Sequence, residues 1–388
     1  MDNLVCTDDF EELARRTVSS ETWDFWSNGA DNEVTLRRNI EIFHRTMIIP
    51  RVLVPKIDSC CITTTNVLGR EVSFPIGIAP TGSHQLAHDD GELAVAKACE
   101  AAQTIMIVST NSSYSIEDIS AAAPNARKWF QLYFLKKRSD TEQLVRRVEN
   151  CSGFEAICVT ADLAAIGTRR MEKRHNFKTD KITNIKVDLS DIAAAGYSNL
   201  TQYLAEHIYD SSADWLDLDW LRSVTKLPII VKGILSPQDA VEALNLGVAG
   251  IVVSNHGGRQ LDTVPSTLEA LSPIVSAVRK HRLGRRCEIY LDGGIRTGTD
   301  ALKAIALGAR MVFVGRPALW ALAVGGEDGV TKMLNILKHE FITSMALAGC
   351  THVSKINRSI IARIPDAFAA KTRSNRIGRV KKRLKSLL

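Results

Sequence analysis

Eight short apolar runs recur along the chain, and each is followed by polar or glycine residues and then by a stretch with helical spacing. The runs cover 74–79, 104–109, 128–133, 156–160, 227–232, 250–254, 287–292 and 310–315. The helical stretches between them include 91–102, 239–247 and 299–308. Strands buried on both faces are continuously apolar, and their alternation with helices indicates a parallel sheet. Eight such units predict an α/β fold, a closed (β/α)8 barrel of the TIM type.

An open, doubly wound sheet is the alternative architecture. It would place a G-x-G-x-x-G fingerprint between the first strand and the first helix. The segment after the first apolar run reads PTGSHQLAHDDGE (80–92) and lacks that fingerprint. The barrel is therefore favoured.

Three regions differ in character along the chain. Residues 1–70 precede the barrel and are predicted to form a helical extension packed on it, with a helix over 7–30 whose apolar positions are Leu13, Val18, Trp23 and Trp26. Residues 71–365 would form the barrel, with a long loop at 170–215 after its fourth strand, typical of a lid or a mobile loop. Residues 366–388 are basic and are predicted to be disordered.

The net charge of +6 does not indicate nucleic-acid binding. From Lys371 to the end the chain carries eight basic residues and no acid, so the rest of the protein is slightly acidic. The tail is interpreted as a solvated extension, with an acidic partner or a membrane surface as the alternative. No stretch of about 18 residues is continuously apolar, so no membrane span is expected. The eight cysteines form no C-x-x-C pair, which favours reduced thiols and predicts no metal site.

Polar side chains stand at the carboxyl end of every predicted strand, where TIM barrels build their active sites. They include hydroxyls, an amide, an ammonium and an imidazole, a set suited to a large polar heterocycle. In chain order they are Thr81, Ser109, Gln131 with Tyr133, Thr160, Lys232, Ser254 with His256, Asp292, and Gly315 with Arg316.

The last two strand ends carry glycines and arginines. DGGIRTG (292–298) and VGRP (314–317) occupy the usual phosphate position of this fold. Glycine backbone can approach phosphate oxygens closely, and Arg296 and Arg316 can bind them as forks. These features predict a phosphate-bearing ligand, although simple turns with surface arginines would give the same pattern.

His256 follows the sixth apolar run directly and is expected to face the barrel mouth. A neutral imidazole there can accept a proton, and Asp162 could orient it. Arg259 and Arg169 could bind a small carboxylate. Lys232 would need an anionic partner because it ends a buried strand. The alternatives are a structural hydrogen bond for His256 and a salt bridge to a barrel acid for Lys232.

Together these residues resemble the FMN-dependent 2-hydroxy acid oxidase and dehydrogenase family, which includes glycolate oxidase. The likeness runs from about Asp8 to Ile360, and its most specific stretches are SNHGGRQLD, LDGGIRTGTDALKAIALGA, FVGRP and KWFQLY. WDFWSNGAD (23–31), IAPTG (78–82) and SMALAGC (344–350) are most similar to the branch that acts on medium- and long-chain 2-hydroxy acids.

The resemblance implies a role for each site residue. His256 would be the base with Asp162 supporting it, and Tyr133 would hydrogen-bond the substrate hydroxyl. Arg169 and Arg259 would bind the substrate carboxylate beside Phe25. The flavin and its phosphate would be held by Ala79, Pro80, Thr81, Ser109, Gln131, Thr160, Lys232, Ser254, Asp292, Gly293, Gly294, Arg296, Gly315 and Arg316.

Four positions depart from the pattern of the family. Phe25 stands where the glycolate-oxidising branch has a tyrosine, and Asn111 stands where relatives have Trp or Phe in the pocket. LAAIG after Asp162 replaces a Thr-Pro pair. The chain ends in KSLL, which is not the usual peroxisomal signal.

The expected activity is FMN-dependent oxidation of an L-2-hydroxy acid, of medium or long chain, with oxygen reduced to hydrogen peroxide. The alternatives are a dehydrogenase with another electron acceptor and a non-catalytic flavin-binding protein. The resemblance also implies a homotetramer and a role in fatty acid metabolism. It implies a peroxisomal location, with the cytoplasm as the alternative.

Overall fold

The structure is a computed structural model that describes residues 1–54, 61–174, 182–185, 187, 192, 196 and 200–362. Eight parallel strands form a closed barrel: β3 (Ile76–Ile78), β4 (Ile105–Val108), β5 (Arg127–Leu132), β6 (Phe154–Thr160), β7 (Ile229–Ile234), β8 (Gly250–Val253), β9 (Glu288–Asp292) and β10 (Met311–Val314). Pairing of Val312 with Ile76 and of Val314 with Ile78 closes it. Each predicted run contributes one strand in the predicted order, so the barrel prediction is confirmed.

The barrel interior is filled by side chains that point inward from alternate positions of the strands. Trp129, Tyr290 and Phe313 form its aromatic centre, with Trp129 5.1 Å from Tyr290 and 5.3 Å from Phe313 between ring centroids. Gly77 faces the same crowded interior, where a Cβ atom would lie 2.5 Å from the Ile105 carbonyl oxygen. The barrel is therefore a packed core, and a ligand can enter only beyond the strand ends.

A short antiparallel hairpin closes the amino-terminal end of the barrel. Its strands are β1 (Thr65–Val67) and β2 (Arg70–Val72), and Val67 and Val72 pack into the interior cluster. Arg127 donates hydrogen bonds to the carbonyl oxygens of Val67 and Arg70 and pairs with Glu155 at 2.6 Å. The opposite end of the barrel, at the carboxyl ends of the strands, remains open and can hold a ligand-binding site.

The barrel helices follow the strands: α4 (Gly91–Ala101), α5 (Ile116–Ala122), α6 (Arg138–Glu149), α9 (Trp215–Val224), α10 (Pro237–Asn245), α11 (Thr267–Lys280), α12 (Gly298–Leu307) and α13 (Arg316–Leu347). The helices predicted over 91–102, 239–247 and 299–308 are confirmed. α13 bends at Gly325 and Gly326, whose backbone angles are not helical. Within the described residues, no helix is both long and apolar enough to cross a membrane.

The N-terminal region contains α1 (Thr7–Thr17), α2 (Ser20–Ser27) and α3 (Val34–Arg45). The prediction of one helix over 7–30 was wrong, because Val18 is extended and the Ser19 side chain caps a new helix by accepting from the Thr22 amide. Leu13 is exposed rather than packed inward, whereas Trp26 is buried as expected.

The connection after β6 is described only in part. It contains α7 (Arg170–Arg174), α8 (Leu200–Tyr203) and a wider helical turn at Leu204–Ile208. Leu200, Leu204 and Tyr209 form a small apolar cluster with Leu135. The remainder of the predicted lid or mobile loop and the whole basic tail at 366–388 lie outside the described residues. The division at residues 70 and 365 stays a prediction.

Candidate active site

A cleft of about 1360 Å³, measured with its open mouth, lies at the carboxyl ends of the barrel strands. Most of the predicted site residues line it: Phe25, Ala79, Pro80, Thr81, Ser109, Gln131, Tyr133, Thr160, Arg169, Lys232, His256, Arg259, Asp292, Gly293, Gly294, Arg296, Gly315 and Arg316. Asp162 and Ser254 do not line the cleft, but both contact His256. Asp162 contacts the imidazole ring, and the Ser254 hydroxyl oxygen accepts a hydrogen bond from the His256 amide at 3.1 Å.

His256 and Asp162 form a hydrogen-bonded pair. Nδ1 of His256 lies 3.0 Å from Oδ1 of Asp162, which leaves Nε2 for the cleft. Gly233 makes room for the carboxylate, since a Cβ atom there would lie 2.7 Å from the Asp162 Cβ. Burial lowers the pKa of His256 although Asp162 opposes the shift, so the imidazole is neutral and can accept a proton near neutral pH.

Lys232 projects from β7 into the same cleft and pairs with Asp292 at 3.5 Å. Burial acts to lower the pKa of Lys232, but Asp292 and Asp162 outweigh it and raise the pKa. The alternative prediction of a salt bridge to a barrel acid is confirmed, and Lys232 also lines the cleft, whereas its pairing with an anionic ligand stays a prediction. The ammonium is charged at any physiological pH.

Arg169 and Arg259 share a carboxylate that the sequence reasoning missed. Glu172 is buried and lies 3.0 Å from Arg259 and 3.7 Å from Arg169 through the same oxygen, Oε1. Burial and the neighbouring Arg169 lower the pKa of Arg259 to about 10. The position of Glu172, three residues after Arg169 in a helical turn, was the sequence signal that could have found it.

The N-terminal region covers one side of the cleft and is held there by arginines. Arg259 donates to the carbonyl oxygens of Phe25 at 2.6 Å and Asn28 at 3.1 Å. Arg316 donates to the carbonyl oxygens of Trp26 at 2.6 Å and Asn28 at 3.0 Å. Arg259 also lies 5.1 Å from the centroid of the Phe25 ring, within cation–π distance.

The predicted phosphate position combines glycines with buried arginines. Gly293 and Gly294 have φ values of +91° and +88°, a conformation that side chains disfavour. Arg296 lies over the ring of Trp320 at 4.9 Å. Burial and the neighbouring Arg259 and Arg296 hold the pKa of Arg316 well below its ordinary value. An anion bound here would relieve this repulsion.

A network of amide and hydroxyl groups lines the wall formed by β4, β5 and β6. Oε1 of Gln131 accepts from the Thr110 amide at 3.1 Å and from the Ser109 hydroxyl at 3.3 Å, and its Nε2 donates to Thr160 at 3.0 Å. The Gln131 amide is thereby fixed in one orientation. Such a wall suits the polar edge of a heterocycle.

A model of the FMN-dependent dehydrogenase family matches residues 14–363. The chain belongs to this family.

Curated relatives match the chain along nearly their whole length. It is 47% identical over 360 residues to 2-hydroxyacid oxidase 2 of Bos taurus, covering 92% of this chain and 98% of the relative. It is 44% identical to a peroxisomal (S)-2-hydroxyacid oxidase of Arabidopsis thaliana, covering 92% and 96%. Among solved structures, mandelate oxidase with benzoyl-formic acid superposes with a TM-score of 0.82 at 38% identity, covering 93% and 98%.

The sequence reasoning also missed one wall of the cleft. Apolar side chains there come from the connection after β6: Leu163, Ile166, Ile182, Leu200, Leu204 and Ala205. Tyr209 closes this wall, with its ring centroid 4.6 Å from that of Tyr133, and donates its hydroxyl to Oδ1 of Asn111. Leu163 and Ile166 follow β6 closely, but the other residues of this wall lie much further along the connection, so no local motif marks the wall.

Proposed function

We propose that the protein is an FMN-dependent 2-hydroxy acid oxidase that converts an (S)-2-hydroxy acid to the 2-oxo acid. The observation that carries the proposal is the 3.0 Å contact of Asp162 with His256, which lines the cleft together with Arg169, Arg259 and Lys232. The relatives named 2-hydroxyacid oxidases support the same chemistry.

The donor set of the cleft fits FMN. Ser109, Gln131, Thr160 and Lys232 would hold the flavin ring together with the backbone of residues 79–81, and Ser254 and Asp292 would support them. Oδ1 of Asp292 is buried and has no hydrogen-bond partner among the described residues. The backbone of Gly293, Gly294 and Gly315 with Arg296 and Arg316 would hold the phosphate. Bound FMN would supply the two-electron acceptor for the reaction.

Residues of the chain would bind the substrate, accept its proton and stabilise the developing charge. Arg169 and Arg259 would bind the substrate carboxylate, and the Tyr133 hydroxyl would hydrogen-bond the hydroxyl of the substrate. Nε2 of His256 would accept a proton, while Asp162 holds the ring and stabilises the imidazolium. The ammonium of Lys232 would favour negative charge developing at the ring of the acceptor.

The apolar wall supports a substrate of medium or long chain. Leu163, Ile166, Leu200 and Leu204 line the side of the cleft next to Tyr133. Burying a methylene group against such a wall is worth about 0.8 kcal/mol, so affinity should rise with chain length until the wall is filled.

An anaerobic titration of the FMN-loaded protein with short, long and aromatic 2-hydroxy acids tests the proposal. Bleaching of the flavin absorbance by (S)-2-hydroxy acids is expected. Failure of the whole panel to bleach the flavin would favour a non-catalytic flavin-binding protein.

The electron acceptor needs its own measurement. We propose that oxygen is reduced to hydrogen peroxide, so one peroxide should form for each oxygen consumed. Rapid bleaching with slow reoxidation by oxygen would favour a dehydrogenase that uses another acceptor.

We propose in addition a peroxisomal location and a homotetramer. The name of the Arabidopsis thaliana relative supports the location. Fluorescence microscopy of the tagged protein would test the location, and light scattering of the purified protein would test the homotetramer.

A further inference from the structure

Asn111 and Tyr209 form a polar pair beside the apolar wall of the cleft. Asn111 follows β4 and Tyr209 follows the connection after β6, and both line the cleft. Oδ1 of Asn111 accepts the hydrogen bond of the Tyr209 hydroxyl. The pair joins two separate elements and stands beside apolar side chains.

The backbone fixes both members of the pair. The Asn111 amide donates to Oγ of Ser109 at 3.1 Å, and its carbonyl oxygen accepts from the Ser83 amide at 2.9 Å. The Tyr209 amide donates to the carbonyl oxygen of Leu204 at 2.8 Å, and Tyr209 forms a bridge with Leu135. The polar pair is therefore organised before any ligand enters.

The Asn111 side chain retains hydrogen-bonding capacity. A carboxamide has two N–H donors on its nitrogen. Among the described residues none accepts a hydrogen bond from Nδ2, because Tyr209 occupies the amide oxygen instead. An oxygen atom of a ligand in the cleft can accept from Nδ2.

The charges around the two tyrosines differ. The Tyr133 hydroxyl interacts electrostatically with three cations, Lys232, Arg169 and Arg259, and with one carboxylate, Asp162. The Tyr209 hydroxyl interacts with Tyr133 and Asn111 and with no described guanidinium or ammonium. A carboxylate therefore belongs beside Tyr133, and a group beside Asn111 has to be neutral, since an unpaired anion there would be costly to bury.

We propose that Asn111 and Tyr209 form a subsite for a neutral hydrogen-bond acceptor, such as a keto or amide oxygen, in the tail of the 2-hydroxy acid. This inference rests on the proposed function and names the class of its substrate. The preferred substrate carries an oxygen in its tail rather than a plain alkyl chain. Asn111 and Tyr209 are specificity-determining residues.

Matched pairs of substrates test the subsite in the FMN-loaded protein. Each pair has equal chain length and differs by one tail oxygen, for example 2-hydroxyhexanoate with 2-hydroxy-5-oxohexanoate, and 2-hydroxyheptanoate with 2-hydroxy-6-oxoheptanoate. The ratio of kcat/KM within a pair is measured for the wild type, for Asn111→Leu, which preserves side-chain size, and for Tyr209→Phe, which removes only the hydroxyl.

We expect Asn111→Leu to lower the keto-to-alkyl ratio by roughly three- to tenfold, mainly through KM, because one hydrogen bond to the tail is lost. Tyr209→Phe should lower it less, because the amide loses its orientation but not its donors. A loss of activity on both members of a pair would indicate a structural role, and an unchanged ratio in both variants would overturn the subsite.

A binding measurement separates this inference from the proposed function. The 2-oxo acids of the same pairs are titrated into the FMN-loaded protein, and the perturbation of the flavin absorbance gives Kd without turnover. A keto preference in Kd that Asn111→Leu abolishes would support the subsite even in a protein that oxidises nothing. Oxidation of both pair members with ratios that neither variant changes would overturn the subsite and leave the function standing. Wild-type protein that prefers each alkyl acid more than tenfold would also overturn it.

Discussion

His256 has a φ of +58°, a backbone conformation that non-glycine residues seldom adopt. Two glycines with positive φ, Gly257 and Gly258, follow it, and the Asn255 side chain accepts from the Gly258 amide at 3.1 Å. Such strained positions persist where the surroundings impose them. Here they place the imidazole between the Asp162 carboxylate and the cleft.

Replacement of His256 tests its role as the base. We expect His256→Gln to lower the rate constant of flavin reduction by about 10²–10⁴-fold, because proton acceptance is lost while the side chain remains polar. Anaerobic stopped-flow measurement with saturating substrate gives this constant. FMN content should stay at the wild-type level, and a rate constant within about tenfold of wild type would refute the assignment.

The expected pH profile of the reaction follows from the lowered pKa of His256. The base acts when it is neutral, and burial moves its pKa below the ordinary value of 6.5, so kcat/KM should rise with pH below that value and be flat near neutrality. Asp162→Asn removes the largest opposing interaction, so the rising limb should move to lower pH while the rate falls. A limb above pH 6.5 in the wild type would contradict a lowered pKa of His256.

Local sequence patterns predict some of these residues and miss others. His256, Arg259, Gly294 and Arg296 follow strands that are recognisable in the sequence, so their position at the mouth could be predicted. Glu172 and Tyr209 belong to a connection whose path depends on tertiary packing. The i, i+3 spacing signalled the contact of Glu172 with Arg169, but the contacts of Glu172 with Arg259 and of Tyr209 with Asn111 could not be derived from spacing.

At the scale of elements, the strands were predictable because burial on both faces leaves continuous apolar runs. The break between α1 and α2 was not recognised, since the change of direction depends on the packing of Trp26 against the barrel and on the Ser19 cap. The hairpin of β1 and β2 was missed because each of its strands has only three residues.

Arg127 connects this hairpin to the barrel and allows a test of its contribution. We expect Arg127→Gln to lower the free energy of unfolding by about 1–3 kcal/mol, because buried backbone carbonyl groups lose their donor, while Glu155 loses one of its two arginine partners and keeps Arg70. Urea unfolding followed by circular dichroism measures this loss.

Arg138→Gln is the matched control. The Arg138 side chain that pairs with Asp217 is largely exposed, so its replacement should lower the free energy of unfolding by less than about 1 kcal/mol. The rate constant of flavin reduction should be unchanged in both variants, since neither arginine lines the cleft. Equal losses in the free energy of unfolding for Arg127→Gln and Arg138→Gln would contradict the structural role of Arg127.

At the scale of the whole molecule, the cleft collects positive charge inside a body that is slightly acidic without its tail. Arg169, Arg259, Arg296, Arg316 and Lys232 all line it. Asp162, Glu172 and Asp292 balance only part of that charge. Mutual repulsion among these cations should destabilise the protein until an anion binds.

Addition of FMN to the apoprotein should therefore raise its stability. At a free FMN concentration a hundred times the Kd the gain should be about 2.7 kcal/mol. Thermal unfolding at increasing FMN concentration measures it, with riboflavin, which lacks the phosphate, as the control. Equal stabilisation by the two flavins would contradict the phosphate assignment of Arg296 and Arg316.

The carbonyl oxygen of Asn28 accepts from Arg259, at the end of the cleft proposed for the substrate carboxylate, and from Arg316, at the end proposed for the phosphate. One peptide group thus serves as a common anchor for the two proposed recognition sites. A shift of that peptide would disturb both together. Engineering of acid preference in this enzyme would accordingly do better to exchange the opposite wall, around Leu204 and Tyr209, than to alter the α2 side.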